Sequence, residues 1–506
     1  MAQPHLGGVL RLRALPQLPE PVASHRHPLL PVTLLHTRGL FAYPNGSSAP
    51  VPDLAESVER VGPTEHLIRL RADVRWDTSP ARAVTSHDVV RGLKRLCAPH
   101  HTSTALPYFL STIRGMTAYR DGHPTTLRTA ADLAEHAAAH DIAGVRALDE
   151  RTVLVELLHP AAEFADLLAL PCAAPAPAEY DEFLPDSREA RHNLRSTGPY
   201  RVALVAGDAV RLEHNPAWRA DSDPVRSRVP GSVLVSDLDD DPHLDLTGER
   251  VVGRDEDSPL LGVDYLALNP RGPLRDRVVR SAVAGAVRRG AHWLVPPDST
   301  ARPDDAAPPE RGPLLLPPPL TLTMIHPDTP EGYDTAVAVA AELMAAGLDV
   351  LARALPQAEH AALLADRSRA ETGEWDLLLG TWLPDWARGN ARAFLLPLCH
   401  STGVANPGGH GLARADALVE AALAAQDDPE RAGAAAREAQ RLVLDEAVVV
   451  PLRHRRPLLP HARADVRNLR VLGAFGGVAD LSAVHVPEQC AVAERRAVAE
   501  PTGLQV

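Results

Sequence analysis

The stretch Thr64-Glu65-His66-Leu67-Ile68-Arg69-Leu70-Arg71-Ala72-Asp73-Val74-Arg75-Trp76, followed after a turn by Val84-Thr85-Ser86-His87-Asp88-Val89-Val90, decides the fold class. In its first part Ile68, Leu70, Ala72, Val74 and Trp76 alternate with Arg69, Arg71, Asp73 and Arg75. That period of two predicts a half-buried strand over 64–76. Asp77-Thr78-Ser79-Pro80 ends it. The period then changes. Thr85 suits an N-cap, Asp88 stands three residues on as in a capping box, and Val89, Leu93 and Leu96 mark one helical face.

The same alternation of strand and helix continues outward. Residues 200–214 read as a hairpin turning at Ala206-Gly207-Asp208, and Val263 to Leu268 reads as a strand before a helix at about 275–290. Thr321 to Ile325 is a strand, and Thr335 to Ala346 a helix ended by Gly347. Trp375 to Trp382 is strand-like. A helical zone covers 412–446, with Asp428-Pro429 opening its second half, and Val448 to Leu452 is a short buried strand. Ala307 to Pro319 reads as a proline-rich linker or long loop, and 491–506 as a flexible tail. Strands alternating with helices, without an internal repeat, make this an α/β chain.

The 506 residues allow two or three domains. The formal charge is −13, and no basic stripe is present, so no nucleic-acid partner is expected. Lys94 is the only lysine; arginine supplies the other 51 basic residues. No apolar run approaches the ~18–20 residues of a membrane helix. The opening residues 1–8 show no basic segment followed by an apolar one, so a secretory signal is not expected from them. Cys97, Cys172, Cys399 and Cys490 are far apart and lack zinc-ligand spacing; buried free thiols are favoured over two disulfides.

No nucleophile elbow, P-loop or dinucleotide fingerprint appears. The 23 histidines, including His25-x-His27 and His100-His101, lack a ligand set and read as surface residues. Asp237, Asp239, Asp240, Asp241 and Asp245 lack the glycine and distal glutamate of a calcium loop and read as a solvated acidic loop. Neither a metal nor a cofactor is expected. Gly380-Thr381-Trp382-Leu383-Pro384-Asp385-Trp386 is different: it sets one carboxylate between two tryptophans at the end of a strand. In a semi-dry aromatic setting a carboxylate holds an ammonium well, by charge pairing and by cation–π attraction to the indole faces. The plainer alternative is that both tryptophans are core and Asp385 caps the next turn.

Several landmarks now line up. Gly7-Gly8-Val9-Leu10-Arg11 opens the series. Arg38-Gly39-Leu40-Phe41-Ala42-Tyr43 and Val51-Pro52-Asp53-Leu54-Ala55-Glu56-Ser57 follow, and then the 74–90 stretch quoted above. Ile142 to Asp149 with Thr152-Val153, Thr197-Gly198-Pro199-Tyr200, Asn215-Pro216, Val279 to Val283, and Gln440-Arg441-Leu442 with Val450-Pro451-Leu452 complete it. In order and spacing these resemble, collinearly over about 7–475, the peptide/nickel-type solute-binding proteins of ATP-driven importers, solute-binding protein family 5.

The resemblance implies a type II, cluster C periplasmic-binding-protein-like fold: two α/β lobes, a hinge, and a ligand cleft between them. Lobe one would be 1–262 with 466–506 returning to it, and lobe two 263–465. The hinge crossings would lie at 263–268 and near 460–470. The implied function is capture of a peptide-like or amine-bearing solute for an ABC importer, by a monomer that partners permease and ATPase subunits outside the cytoplasm. It implies no enzyme activity. A cytoplasmic sensing module and an enzyme built in the cleft are the competing readings. The family's peptide binders hold the ligand's amine with an aspartate in a W-x-x-D-[YNW] stretch, and Trp382, Asp385 and Trp386 occupy those positions here. Phe41, Tyr43, Arg388 and His410 are further cleft candidates. The chain departs from the family in a short 224–262 segment, which predicts a reduced wall of lobe one, and at Gly409-His410-Gly411, where His410 replaces the family's aromatic residue.

Overall fold

The structure is a computed structural model, and it describes residues 8–487 except 48, 101–102, 125, 248–250, 255–259, 289, 298–319, 387–390, 426–427 and 457. The proline-rich 307–319 stretch, the 491–506 tail, Cys490 and Arg388 lie outside the described residues.

The predicted strand–turn–helix is present with one change. The strand is Glu65–Leu70, and just past it the Arg71 amide still bonds the Leu54 carbonyl at 2.9 Å. Val74 and Trp76 remain buried but lie past the strand, near an isolated bridge between Arg75 and Ala83. The helix is Ser86–Leu96 with the predicted Thr85–Asp88 capping box. Asp88 also accepts from the Trp76 indole N–H at 3.0 Å and pairs with Arg82 at 3.0 Å, so the cap ties the turn to the helix.

Three larger sheets organise the chain. A four-stranded antiparallel sheet runs Ala55–Arg60, Glu65–Leu70, Thr152–Glu156, Val145–Asp149. A seven-stranded sheet runs Val251–Arg254, Leu458–Ala462, Leu244–Asp245, Val9–Arg13, Ser232–Ser236, Ala209–His214, Tyr200–Val205. The last two are the predicted hairpin. Val9–Arg13 pairs in parallel on both sides, with Ser232–Ser236 and Leu244–Asp245. A five-stranded sheet runs Asp349–Leu355, Thr321–Pro327, Leu377–Trp382, Gly262–Leu268, Val449–Arg455. The first two sheets hold the strands of the expected lobe one, joined by Leu458–Ala462, and the third holds the other strands of the expected lobe two.

Gly262–Leu268 is buried along its whole length, as a strand covered on both faces must be. Its one acid, Asp264, is held by Arg453, by Arg455 and by the Thr381 hydroxyl at 2.7 Å. The Tyr265 ring packs so closely on Gly380 that a Cβ there would lie 2.4 Å from a ring carbon. Glycine is therefore required at the strand that delivers Trp382 and Asp385. The chain leaves this sheet after Arg455 and has joined the seven-stranded sheet by Leu458, a little ahead of the expected 460–470.

Other expectations differ at their edges. The helix at 335–346 begins earlier, as Pro330–Ala345, because Thr329 caps it and Pro330 opens it; Gly347 ends it at φ +88°. The 412–446 zone is two helices, Ala413–Ala424 and Pro429–Asp445, the second capped by Asp428. The helix at 275–290 ends sooner, at Ala286. The acidic segment is not simply solvated. Ser232–Ser236 is central in its sheet, Asp239 pairs with Arg11, Asp241 with Arg463, and Asp245 is buried in a strand. Arg38 is fully buried between Asp53 and Asp223, with Arg226 closing the network at 2.7 Å from Asp53. A buried guanidinium needs that many acceptors to offset its desolvation. Cys97, Cys172 and Cys399 are free and buried.

Candidate functional site

The strand Leu377–Trp382 belongs to the second lobe, and its continuation carries Asp385 to the seam between lobes. There the carboxylate is 1% exposed and meets side chains of the first lobe. His25 Nε2 lies 2.8 Å from Oδ1, and since a carboxylate only accepts, this nitrogen is the donor. The other ring nitrogen meets Thr104 Oγ1 at 2.6 Å. The Tyr108 hydroxyl donates to Oδ2 at 3.0 Å. The Arg26 guanidinium stands 3.2 Å from Oδ1, donates to the Leu383 carbonyl at 2.7 Å, and lies 4.8 Å above the Trp382 ring.

Burial would raise the Asp385 carboxyl, but Arg26 and His25 beside it, with the hydrogen bonds from His25 and Tyr108, outweigh burial and hold it well below the usual carboxylate range. Burial lowers and Asp385 raises the Arg26 guanidinium, with a net rise. Burial, then the carboxylate, pushes the Tyr108 phenol well above its ordinary value, so it stays a donor. The buried Cys172 thiol, pushed up to about 12 chiefly by burial, is near enough to feel the Asp385 charge. The site is thus an ionised carboxylate in dry, aromatic surroundings with a cation already on it.

The two tryptophans frame this carboxylate differently. Trp386 is fully buried, edge-on to Tyr108 at 5.2 Å between ring centroids. Trp382 donates its indole N–H to the Ala393 carbonyl at 2.6 Å and gives its face to Arg26. Phe475, from the C-terminal segment, donates its amide to the Asp385 carbonyl at 2.8 Å and meets the Tyr43 ring edge-on at 5.5 Å. The Tyr43 hydroxyl donates to Asp166. Phe41, Tyr43 and Phe475 together line a small cavity of about 30 Å³, room for a single water. Phe475 thus links the cavity lined by Phe41 and Tyr43 to the Asp385 backbone. His410 stands apart. Its carbonyl accepts from Asn406 at 2.9 Å, burial pushes its imidazole down to about 4, and it shares no partner with Asp385 among the described residues.

Sequence reasoning missed the first-lobe half of the site. His25 is a buried partner of Asp385 and not a surface histidine. Tyr108 carried no signal. Arg26 carried none either; in the structure its backbone sits at φ +59°, where non-glycine residues go at a cost.

The sequence of residues 49–291 matches the profile of the bacterial extracellular solute-binding proteins, family 5, middle region. Over that stretch, just under half of its length, the chain is similar to this family. It is 29% identical over 192 residues to the periplasmic oligopeptide-binding protein OppA of Salmonella typhimurium. It is 31% identical over 202 residues to di/tripeptide-binding protein 4 of Pseudomonas aeruginosa. Each match takes in 38% of this chain and only about a third of the relative, 33% and 34% respectively. Similarity to solved structures is broader. The clavulanic acid biosynthesis oligopeptide binding protein 2 superposes with a TM-score of 0.78 at 23% identity, covering 95% of both chains. The Escherichia coli murein tripeptide binding protein MppA gives 0.69 at 19% identity, covering 92% of this chain and 95% of its own. The fold is the two-lobe fold of these proteins. Family members are extracytoplasmic binding proteins by name, and among the described residues no helix is long and apolar enough to cross a membrane.

Proposed function

We propose that the chain captures a peptide-like or amine-bearing small molecule between its lobes and delivers it to an ABC importer. It acts as a monomer outside the cytoplasm, with permease and ATPase subunits as partners, and catalyses no reaction. One observation carries this reading: Asp385 already holds a cation in a dry site, with an indole face beneath that cation. A ligand ammonium presented there meets the same carboxylate and ring. Trp382, Trp386, Phe41 and Tyr43 form the apolar surroundings that strengthen such a pair by excluding water. Support from the comparisons is the names of the relatives, which bind oligopeptides or di- and tripeptides. Closure of the lobes about a hinge would then bury the ligand between them.

Calorimetric titration with trialanine tests it. The wild type binds trialanine better than N-acetyl-trialanine, and Asp385→Asn loses on the order of tenfold or more in trialanine affinity. Equal affinity of wild type and Asp385→Asn for trialanine refutes the anchor.

A further inference from the structure

A second pair of opposite charges crosses the same seam. Arg392, in the second lobe beside the Trp382 contact at Ala393, bonds through Nε to Oε1 of Glu163 from the first lobe. Both side chains are buried, at 1% and 2% exposure. Arg392 Nη1 donates to Ser111 Oγ at 2.8 Å. Ser111 directly follows the short helix Leu106–Leu110 that carries Tyr108, the donor to Asp385. Arg392 is also close enough to Tyr108 to act on its phenol electrostatically. Arg392 and Asp385 are thus two neighbouring anchors of opposite sign on one lobe, linked through one short helix of the other.

The Arg392 pair is incompletely satisfied. Arg392 Nη2 and Glu163 Oε2 are buried, with no hydrogen-bond partner among the described residues. Native structures rarely leave such groups unmatched, because each costs the full desolvation penalty. A carboxylate facing a guanidinium ordinarily forms two parallel bonds, and this one forms a single bond. Across the seam, Arg26 reaches Asp385 from a left-handed backbone position. Each charge that the first lobe offers is therefore held in a compromised geometry.

We propose that Arg26 and Glu163 act as an internal stand-in for a zwitterionic ligand: Arg26 occupies the ammonium position on Asp385, and Glu163 occupies the carboxylate position on Arg392. The ligand class is then a short peptide or amino-acid-like molecule with both a free ammonium and a free carboxylate. It binds by exchanging for these two side chains, and Arg392 is its carboxylate anchor. The inference rests on the reading of Asp385 as an amine anchor. Its cost to the ligand is a competing internal state, which lowers apparent affinity by the fraction of molecules in that state.

Small-angle X-ray scattering and trialanine titration of the full chain test this with Arg26→Gln, Glu163→Gln and the double variant. Arg26→Gln alters a side chain one-third exposed and keeps the test open if the buried Glu163 variants fail to fold. The expected result is a larger radius of gyration without peptide and trialanine binding tightened about tenfold in the double variant, less in Arg26→Gln alone. Trialanine amide, lacking the carboxylate, gains from Arg26→Gln only. Unchanged or weaker trialanine binding in Arg26→Gln, beside a wild type that binds it, overturns the proposal. If Asp385→Asn abolishes binding while the Arg26 and Glu163 variants match wild type, the anchor stands and the stand-in falls. If no form, the wild type included, binds trialanine, the functional reading fails and the stand-in that rests on it falls too.

Discussion

Replacing Asp385 by asparagine keeps the shape of the side chain and removes the charge that the Arg26 guanidinium and the His25 ring N–H meet. His25 and Asp385 are almost fully enclosed, with side chains 2% and 1% exposed, and the Tyr108 hydroxyl completes the carboxylate's shell. Breaking a buried pair by removing one partner costs about 3–5 kcal/mol. Arg26 is a third exposed, so water takes up part of its lost interaction, and the expected loss is about 2–3 kcal/mol. The loss carries a pH signature. Asp385 titrates lower in the folded chain than in the unfolded one, so its contribution is complete above the unfolded value of about 3.9 and disappears as pH falls toward the lower folded value. Urea unfolding of wild type and Asp385→Asn is the assay. The two should differ by about 2–3 kcal/mol at pH 7, and the gap should narrow steadily below pH 4. A gap under about 0.5 kcal/mol at pH 7, or one that does not change with pH, refutes the reasoning.

Other residues give independent checks. Gly380→Ala forces a Cβ against the Tyr265 ring at 2.4 Å, and overpacking of this kind costs about 1–3 kcal/mol in urea unfolding. The strand it strains also delivers Asp385, so trialanine affinity should fall as well. Thr85→Ala removes the capping hydroxyl of Ser86–Leu96 and should cost about 1 kcal/mol while leaving trialanine affinity alone. Cys97, Cys172 and Cys399 are buried, the first two with thiols pushed up to about 12 and Cys399 pushed well up, all chiefly by burial, so Ellman's reagent should modify them only in denaturant. Rapid labelling of Cys172 in the native chain would contradict its burial beside Asp385.

The parts of this protein that are local in sequence were legible. The Thr85–Asp88 box, the 200–214 hairpin and the Asp428-Pro429 helix start each depend on a few adjacent residues. Asp385 between two tryptophans was legible for the same reason. Its partners were not, because His25 lies 360 positions away and Glu163 lies 229 from Arg392. A lone histidine or one arginine among 51 carries no mark of the fold that pairs it. The strand Ser232–Ser236 was overlooked because it is short and flanked by acids, and those acids look solvated until Arg11 and Arg463 arrive from distant segments. The strand expected to reach Trp76 ends at Leu70, while Val74 and Trp76 keep the burial that made the period of two run on past it.

Native mass spectrometry of the folded chain, after exposure to a mixture of free and N-acetylated short peptides, tests the central claim most directly. The account predicts that the wild type retains peptides with a free amine, and that Asp385→Asn retains none of them. Retention of the same species by both proteins, or of acetylated peptides as readily as free ones, would contradict it.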